Sequence, residues 1–199
     1  MPDTLSLGFD TSAAHCAAAL LQGDRVLIQR HEDMARGQAE RLFPLLEEML
    51  TSAGVDWRDL SVIGCGTGPG NFTGIRISVA AARGLALSLG IPAVGVSVTE
   101  AMACGLPRPC RVAIPARPAG LIWQDFGTDP ERDSPPRQDL PEDMPPGPAL
   151  AHPLMPLAEG IARIAQARRA MPGLPRPAPI YLRPADAPPA RDRGPVMLP

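Results

Sequence analysis

Two short segments of the sequence carry residues that could bind phosphate. The first, FDTS at residues 9–12, places the acid Asp10 and the hydroxyl residues Thr11 and Ser12 at the end of an apolar run. The second, GTGPGNFTG at residues 66–74, is a glycine-rich turn ahead of an alanine-rich stretch. Hydroxyls and backbone N–H groups in such turns bind phosphate, and an adjacent acid can position a metal or a water. Alone, a D-T-S sequence also makes an ordinary turn whose side chains bond to the local backbone.

The glycine-rich segment is the more specific of these two. Gly68 and Gly70 allow positive φ angles, and Pro69 between them stiffens the turn. Thr73 is a candidate cap for the helix that follows, and free N–H groups at a helix start point toward a bound anion. Together the segments predict two phosphate-binding turns made of Asp10, Thr11, Ser12, Gly68, Pro69, Gly70, Asn71 and Thr73.

Composition and charge exclude several classes of protein. The 199 residues suit one ordinary domain or two small ones. A net charge of −2 and 4% aromatic residues give no broad basic or stacking surface for nucleic acid. The chain contains 19 arginines and no lysine. A Walker-type phosphate site and a Schiff base both need a lysine, so both are excluded.

The sequence also predicts a cytoplasmic location. No apolar run approaches the roughly 20 residues that span a bilayer, and the first residues lack the pattern of a secretory signal. The cysteines form no C-x-x-C pair, so we expect reduced, mostly buried thiols rather than disulfides or a zinc site at Cys16, Cys65, Cys104 and Cys110.

Proline divides the sequence into two parts. Residues 1–106 contain four of the 26 prolines, and residues 107–199 contain the rest. Long helices and strands are therefore compatible with the first part and are interrupted too often in the second. We expect an N-terminal domain over 1–106 and a shortened, proline-rich second domain over 107–199.

The first part predicts an alternation of strands and helices. Apolar runs bounded by turn residues predict strands at 5–10, 15–22, 25–32, 61–67 and 92–97. Helical patterns indicate helices at 35–54, 73–89 and 99–104. Gly23 and Asp24 form a two-residue hairpin turn between the second and third strands. This order predicts an α/β fold, with a mixed sheet covered by helices.

The second part predicts shorter elements. Two strands are expected within 111–126, around a turn at 118–120. The polar, proline-rich segment 127–148 has no periodicity and is interpreted as a loop or a disordered segment. An amphipathic helix at 154–171, an extended segment at 177–188 and a frayed C-terminal tail follow.

The helices at 35–54 and 73–89 carry wide apolar surfaces. The first has an apolar arc of roughly 160°, against about 100° for a helix that packs on one sheet. The second contains many small residues, which let another helix approach closely. Either both helices pack on each other over the sheet, or one face of each contacts a partner subunit. The second interpretation assigns partner contacts to Leu42, Leu45, Leu46, Met49, Ile75, Val79, Ala82 and Ala86.

These segments, in this order, resemble one protein family. GPGNFTGIRIS after SVIGCGT, the earlier ERLFPLLEEML and the late YLRPADA are similar to the TsaB family of the actin-like ATPase superfamily. The resemblance is dense over residues 5–104 and thin from there to IYLRPADA. Asn71 stands where the family usually has Ser, Ser78 where it usually has Gly, and Pro115 where an acid is often found.

The resemblance implies a two-domain actin-like fold and a role without catalysis. TsaB proteins are partners of TsaD in the bacterial complex that makes threonylcarbamoyladenosine beside the tRNA anticodon. The expected function is therefore that of a scaffold subunit that binds TsaD, helps to recruit the ATPase TsaE and meets tRNA only indirectly. No cofactor of its own and no membrane association are implied. A nucleotide at the interface of the complex and a homodimer in the absence of the partner remain open.

The same resemblance argues against a metal site. TsaD, the catalytic paralogue, binds a metal through an H-x-x-x-H pair that follows the strand equivalent to 92–97. Alignment through IPAVGVSVTEAMA places Val98 and Met102 at these two positions, and neither side chain supplies a nitrogen ligand. The histidines are far apart in the sequence and are expected to be surface or turn residues: His15, His31 and His152.

One alternative belongs to a different class of protein. A small actin-like ATPase or kinase-type enzyme could use Asp10 and the glycine loop at 66–74. Such an enzyme needs a second phosphate-binding turn in its other domain, and no further glycine-rich turn follows residue 107.

Overall fold

The structure, a computed structural model, describes residues 4–116 and 119–182. Its strands are β1 (Leu5–Asp10), β2 (His15–Gln22), β3 (Arg25–Asp33), β4 (Val62–Gly66), β5 (Ala93–Val96), β6 (Cys110–Pro115), β7 (Leu121–Phe126) and β8 (Arg137–Asp139). Its helices are α1 (Gln38–Ala53), α2 (Phe72–Leu89), α3 (Val98–Met102) and α4 (Leu157–Arg168).

The first five strands form one mixed sheet in the order β3-β2-β1-β4-β5. β1 pairs antiparallel with β2 and parallel with β4, while β2 pairs antiparallel with β3 and β4 parallel with β5. All strands except β2 therefore run in one direction. The predicted strands of this region are confirmed to within one residue at each end. The hairpin turn is confirmed as well, with Gly23 at a φ of 57°, an angle that glycine adopts without a Cβ clash.

The two faces of this sheet are covered by different helices, because alternate residues of a strand point to opposite sides. Leu7 and Phe9 of β1 pack with α1 and α2. Gly8, between them, faces α4, where a Cβ on this glycine would lie 2.5 Å from the carbonyl oxygen of Ala158. Only a residue without a side chain lets α4 approach the sheet this closely.

Helix α4 belongs to the proline-rich part of the chain, yet it packs on the N-terminal sheet. Ile161 of α4 packs with Val62 and Val94 of the sheet. The predicted division into domains 1–106 and 107–199 is therefore corrected at this helix. Without α4, the apolar residues on that face of the sheet would be exposed to water.

A smaller antiparallel sheet follows the first, in the order β6-β7-β8. The two strands predicted within 111–126 are confirmed as β6 and β7. The segment 127–148, predicted as a loop or a disordered segment, is mostly irregular, but β8 lies within it and pairs with β7. Arg111 of β6 also holds the segment in place, since it donates a hydrogen bond to the carbonyl oxygen of Pro145. Periodicity does not reveal contacts of this kind.

The helices differ from their predicted bounds at the ends. Helix α1 begins at Gln38, three residues later than predicted, and Pro44 lies within it. Helix α4 is shorter than the predicted 154–171. By length and composition α2 could cross a bilayer, but its inner face packs on the sheet as a core helix. Residues 177–182 form no helix or strand. The rest of the extended segment, most of YLRPADA and the C-terminal tail lie outside the described residues.

Candidate functional site

The D-T-S turn at the end of β1 is buried, and most of its polar groups bond to the chain itself. Thr11 is fully buried; its backbone N–H donates to the hydroxyl of Ser78 at 3.0 Å, and its hydroxyl donates to the carbonyl oxygen of Gly74 at 2.7 Å. The backbone N–H and the hydroxyl of Ser12 both donate to Oδ1 of Asp10 at 2.9 Å. Most hydrogen-bonding groups of this turn are therefore bonded within the chain. The exception is Oδ2 of Asp10, which is buried and has no hydrogen-bond partner within the described residues.

The start of α2 is capped by a side chain. Oδ1 of Asn71 accepts hydrogen bonds from the backbone N–H groups of Thr73 and Gly74, at 3.0 and 3.1 Å. The prediction of Thr73 as the cap is wrong, because the helix begins at Phe72 and the preceding extended residue is Asn71. Asparagine is among the best residues for this position. The departure from the family's usual Ser at this position therefore leaves the helix with an effective cap.

The two predicted phosphate turns lie in direct contact with each other. A Cβ on Gly70 would lie 2.4 Å from the carbonyl oxygen of Ser12, and a Cβ on Gly74 would lie 1.9 Å from that of Thr11. The backbone N–H of Asn71 donates to the same Ser12 oxygen at 2.6 Å. The glycines thus allow close packing of the two turns. The place that an anion would take at the helix start is filled by the Asn71 side chain and the D-T-S turn.

Two of the histidines lie beside this turn, a juxtaposition that their sequence separation does not suggest. Nε2 of His15 lies 2.8 Å from Oδ1 of Asp10, which is fully buried. The rings of His15 and His31 are 4.9 Å apart between centroids. The pairing of β2 with β3 brings them together. His31 pairs with Ala17, which lies two residues from His15 and therefore on the same face of the sheet. The hairpin signal already present in the sequence could have placed both rings on one side of the sheet.

Val98 and Met102, which the resemblance aligns with the TsaD histidines, lie on α3. Val98 is buried, and half-buried Met102 packs beside Cys110 and Phe126. Over residues 4–116 and 119–182, no three His, Cys, Asp or Glu side chains are grouped as metal ligands. The local environment of both positions is apolar packing.

The eight residues predicted as partner contacts are buried within the chain, so this assignment of a contact surface is corrected. The wide apolar arc of α1 and the buried small residues of α2 face the sheet and each other. A helix that contacts both a sheet and a neighbouring helix needs a broad apolar stripe. None of these side chains is exposed by more than 8%: Leu42, Leu45, Leu46, Met49, Ile75, Val79, Ala82 and Ala86.

The outward face of α1 and α2, which we call the helical face, has a different composition. Its apolar members include Phe43, exposed by 43%, and Leu87, exposed by 86%. Exposed charged residues stand beside them on both helices. A shallow cleft of about 420 Å³ opens on α2 and is lined by Arg76, Val79, Ala80, Arg83 and Pro179. Exposed large apolar side chains on adjacent helices are typical of a protein contact surface.

A second cleft, of about 450 Å³, lies between the ends of β4 and β5 and the smaller sheet. The C-terminal segment forms one wall of it, because the N–H of Ile180 donates to the carbonyl oxygen of Thr67 at 2.8 Å. The size is in the range of small-molecule sites. Several polar groups that line or adjoin it already bond within the chain, since Gln124 accepts from Thr99 and Glu100 pairs with Arg168.

This chain is similar in sequence to known proteins. Residues 30–125 match the family model described as TsaD: tRNA N6-adenosine threonylcarbamoyltransferase. The tRNA threonylcarbamoyladenosine biosynthesis protein TsaB of Escherichia coli is 35% identical over 128 residues, which is 62% of this chain and 55% of that protein. An uncharacterized protein of Mycobacterium tuberculosis is 32% identical over 152 residues, covering 73% of this chain and 69% of that protein. The chain spans about half the length of the curated TsaB relatives it matches.

The fold is similar to a solved structure over most of the chain. YeaZ from Pseudomonas aeruginosa superposes with a TM-score of 0.72 and 28% sequence identity, covering 90% of this chain and 100% of that one. This likeness and the TsaD family match confirm the predicted actin-like α/β fold with a mixed sheet and helices. Sequence relatives, motifs and structure agree, and the chain belongs to the TsaB family.

Proposed function

We propose that this chain is a non-catalytic subunit in the biosynthesis of threonylcarbamoyladenosine in tRNA. Its family membership supports the process, since relatives at 31–35% identity carry that function in their names. The observation that carries the non-catalytic role is the filled space between the two predicted phosphate turns. Thr11 donates its backbone N–H and its hydroxyl to α2, and the N–H groups of Thr73 and Gly74 bond to Asn71, so these four donors are already used.

The proposed partner is a TsaD-type enzyme, and the proposed contact is the helical face. Phe43 and Leu87 are large apolar side chains exposed on adjacent helices, where a partner could bury them. The same assembly would recruit a TsaE-type ATPase, work in the cytoplasm and meet tRNA through its partners. A nucleotide would then bind at an interface of the complex rather than between the turns of this chain.

Co-expression with the TsaD-type enzyme of the same organism tests the contact. We expect the two chains to elute together in size exclusion, and Phe43→Asp with Leu87→Asp to separate them while the melting temperature stays close to that of the wild type. Leu154→Asp is the matched control, because Leu154 is also exposed but precedes α4 on the other face of the sheet. Co-elution of the Phe43 and Leu87 variant at the wild-type ratio would show that the helical face is not the contact.

A modification assay tests the role. With tRNA, threonine, bicarbonate, ATP and the partner enzymes present, formation of threonylcarbamoyladenosine should require this chain, as measured by mass spectrometry of the nucleosides. The isolated chain with Mg²⁺ and ATP should release no phosphate above background. Magnesium-dependent hydrolysis that is lost in Asp10→Ala, with folding verified by circular dichroism, would support the ATPase alternative instead.

A further inference from the structure

An extended segment, residues 175–181, crosses one side of the cleft of about 450 Å³, and we call it the strap. It belongs to no helix or strand, and most of it is exposed or half-buried, yet Pro177 within it is buried. The residues of the strap that line the cleft are Pro175, Arg176, Pro177, Ala178 and Ile180. The strap therefore forms a wall of this cleft that neither sheet supplies.

The inner contacts of the strap are made at the carboxyl ends of β4 and β5. The backbone N–H of Ile180 donates to the carbonyl oxygen of Thr67, which follows β4, at 2.8 Å. A Cβ on Gly68 would lie 3.1 Å from the carbonyl oxygen of Ile180. A Cβ on Gly95 of β5 would lie 3.2 Å from Cα of Pro177. In open α/β sheets, ligands bind in the crevice outside the carboxyl ends of the strands. The strap therefore occupies a position that a ligand would otherwise take.

The outer end of the strap is held by one side chain of α2. Nε of Arg76 donates to the hydroxyl of Tyr181 at 2.9 Å. The Arg76 guanidinium lies 3.8 Å from the centroid of the Phe72 ring, and the rings of Phe72 and Tyr181 are 4.9 Å apart. Tyr181 is exposed by 41% and Phe72 by 36%, so this contact lies at the surface. It can break and form again without any change in the core.

Few contacts hold the strap on the rest of the chain. Proline at positions 175, 177 and 179 leaves it with few backbone donors, since proline has no N–H. Among the described residues, the N–H of Ile180 makes the only hydrogen bond between the backbone of the strap and that of another segment. Segments held by few contacts open at a lower free energy than the core. The prolines also keep the strap extended and stiff, so that it moves as one piece.

We propose that the strap is a displaceable cover of this cleft and that the contact of Arg76 with Tyr181 keeps it closed. Loss of this contact frees the neighbouring residue Ile180, whose hydrogen bond to Thr67 then breaks. The cleft opens to solvent, and the carbonyl oxygen of Thr67 becomes available to a hydrogen-bond donor of a ligand. All of these contacts lie within one chain, so the cover does not depend on the proposed function.

The chain contains a single tyrosine, so the outer end of the strap can be observed directly. With 3-fluorotyrosine incorporated into the full chain, we expect one main fluorine resonance, and Arg76→Gln should move it toward the position of free 3-fluorotyrosine. Arg83→Gln is the matched control, because Arg83 is also exposed on α2, seven residues further on. It removes the same charge and should leave the resonance in place. A resonance that Arg76→Gln does not move, or that both variants move equally, contradicts the assigned contact.

Hydrogen exchange followed by NMR measures whether release of Tyr181 also opens the strap. In Arg76→Gln, and separately in Tyr181→Ala, the amide of Ile180 should exchange about three- to tenfold faster, because the closed state has lost one hydrogen bond of ordinary strength. The amides of β1 and β4 should keep their wild-type protection. Unchanged exchange at Ile180 in both variants overturns the proposal, since the strap is then held without Arg76. Equal acceleration over β4 overturns it as well, because the strap and the sheet then open as one unit.

Discussion

The two sheets of this chain are stabilised in different ways. The five-stranded sheet lies between helices, and its buried residues are mainly aliphatic. The three-stranded sheet has a small apolar cluster and depends on polar contacts, in which Arg111 binds Asp125 through two hydrogen bonds and Trp123 donates to Asp139. A region with two covered faces can rely on apolar burial, whereas a small sheet next to proline-rich loops needs specific partners for its polar groups.

The largest effect is expected from the apolar region. Leu46 of α1 is fully buried in the apolar core between the helices α1 and α2 and the five-stranded sheet, which we call the first core. Leu46→Ala should therefore lower the free energy of unfolding by about 2–5 kcal/mol. Leu87→Ala is the matched control; its side chain is exposed by 86%, and the change should stay within about 0.5 kcal/mol. Chemical denaturation measures both values. Equal effects at the two positions would contradict the assignment of inner and outer helix faces.

The different burial of Leu46 and Leu87 illustrates which features of the fold the sequence could predict and which it could not. The alternation of strands and the glycines at turns located β1 to β5 and the hairpin to within a residue, because these signals are local. The wide apolar arc of α1 was ambiguous, since a helix that contacts both a sheet and a neighbouring helix needs the same breadth as one that binds a partner. Only the packed structure shows that Leu46 faces inward.

The two turns of the candidate site were predictable from the sequence, but the close contact between them was not. The sequence located both the D-T-S turn and the glycine loop, and they do meet in the structure. Their mutual contact depends on Thr11 and Ser78, which are 67 residues apart and bond through a hydroxyl. The ion pair between Arg111 of β6 and Asp125 of β7 likewise joins two strands, and no periodicity in the sequence indicates it. Such pairs depend on the tertiary fold, which composition and spacing do not determine.

The second prediction concerns the ion pair between Arg111 and Asp125 in the smaller sheet. Arg111→Met should cost about 2–4 kcal/mol, because it leaves the partly buried carboxylate of Asp125 without its partner. Hydrogen exchange should increase over β7 and β8 and change little over β1 and β4. The double variant Arg111→Met with Asp125→Leu should recover part of the loss. If the first sheet loses as much protection as the second, the two regions unfold as one unit and the contrast between them fails.

The third prediction uses the buried thiols, which occur in both regions. Burial in the first core raises the pKa of Cys16 to about 11 and that of Cys65 to about 12. Burial also raises the pKa of Cys110 in the smaller sheet. At about pH 8 these thiols are neutral, so alkylation requires opening of the structure. We expect iodoacetamide to label Cys110 faster than Cys65, as measured by mass spectrometry over time.

The same thiols predict a loss of stability at alkaline pH. A folded pKa above the unfolded value of about 8.5 stabilises the fold below that pH, and this contribution is lost as the pH rises toward the folded value. Melting temperatures should therefore fall from about pH 8.5 to 11, and less steeply in Cys16→Ala. A Cys65 labelled as fast as Cys110 in the native chain would remove the distinction between the two cores.

The smallest effect is expected at the exposed edge of the large sheet, where Arg41 of α1 bonds to both Glu32 of β3 and Glu48 of α1. These hydrogen bonds lower the pKa of both carboxyls. A lowered folded pKa stabilises the fold above the unfolded pKa, and this contribution is lost as the pH falls through the folded value.

Arg41→Gln should therefore lower the melting temperature slightly at neutral pH, and the difference from the wild type should shrink as the carboxyls become protonated. Thermal melts between about pH 7 and 3 measure this difference. Arg58→Gln is the control, because the Arg58 side chain is exposed and forms no ion pair within the described residues. A difference that stays constant with pH would mean that Arg41 contributes by packing its aliphatic stem on β3 rather than by its charge. The edge of the large sheet would then be stabilised by apolar packing, as its core is.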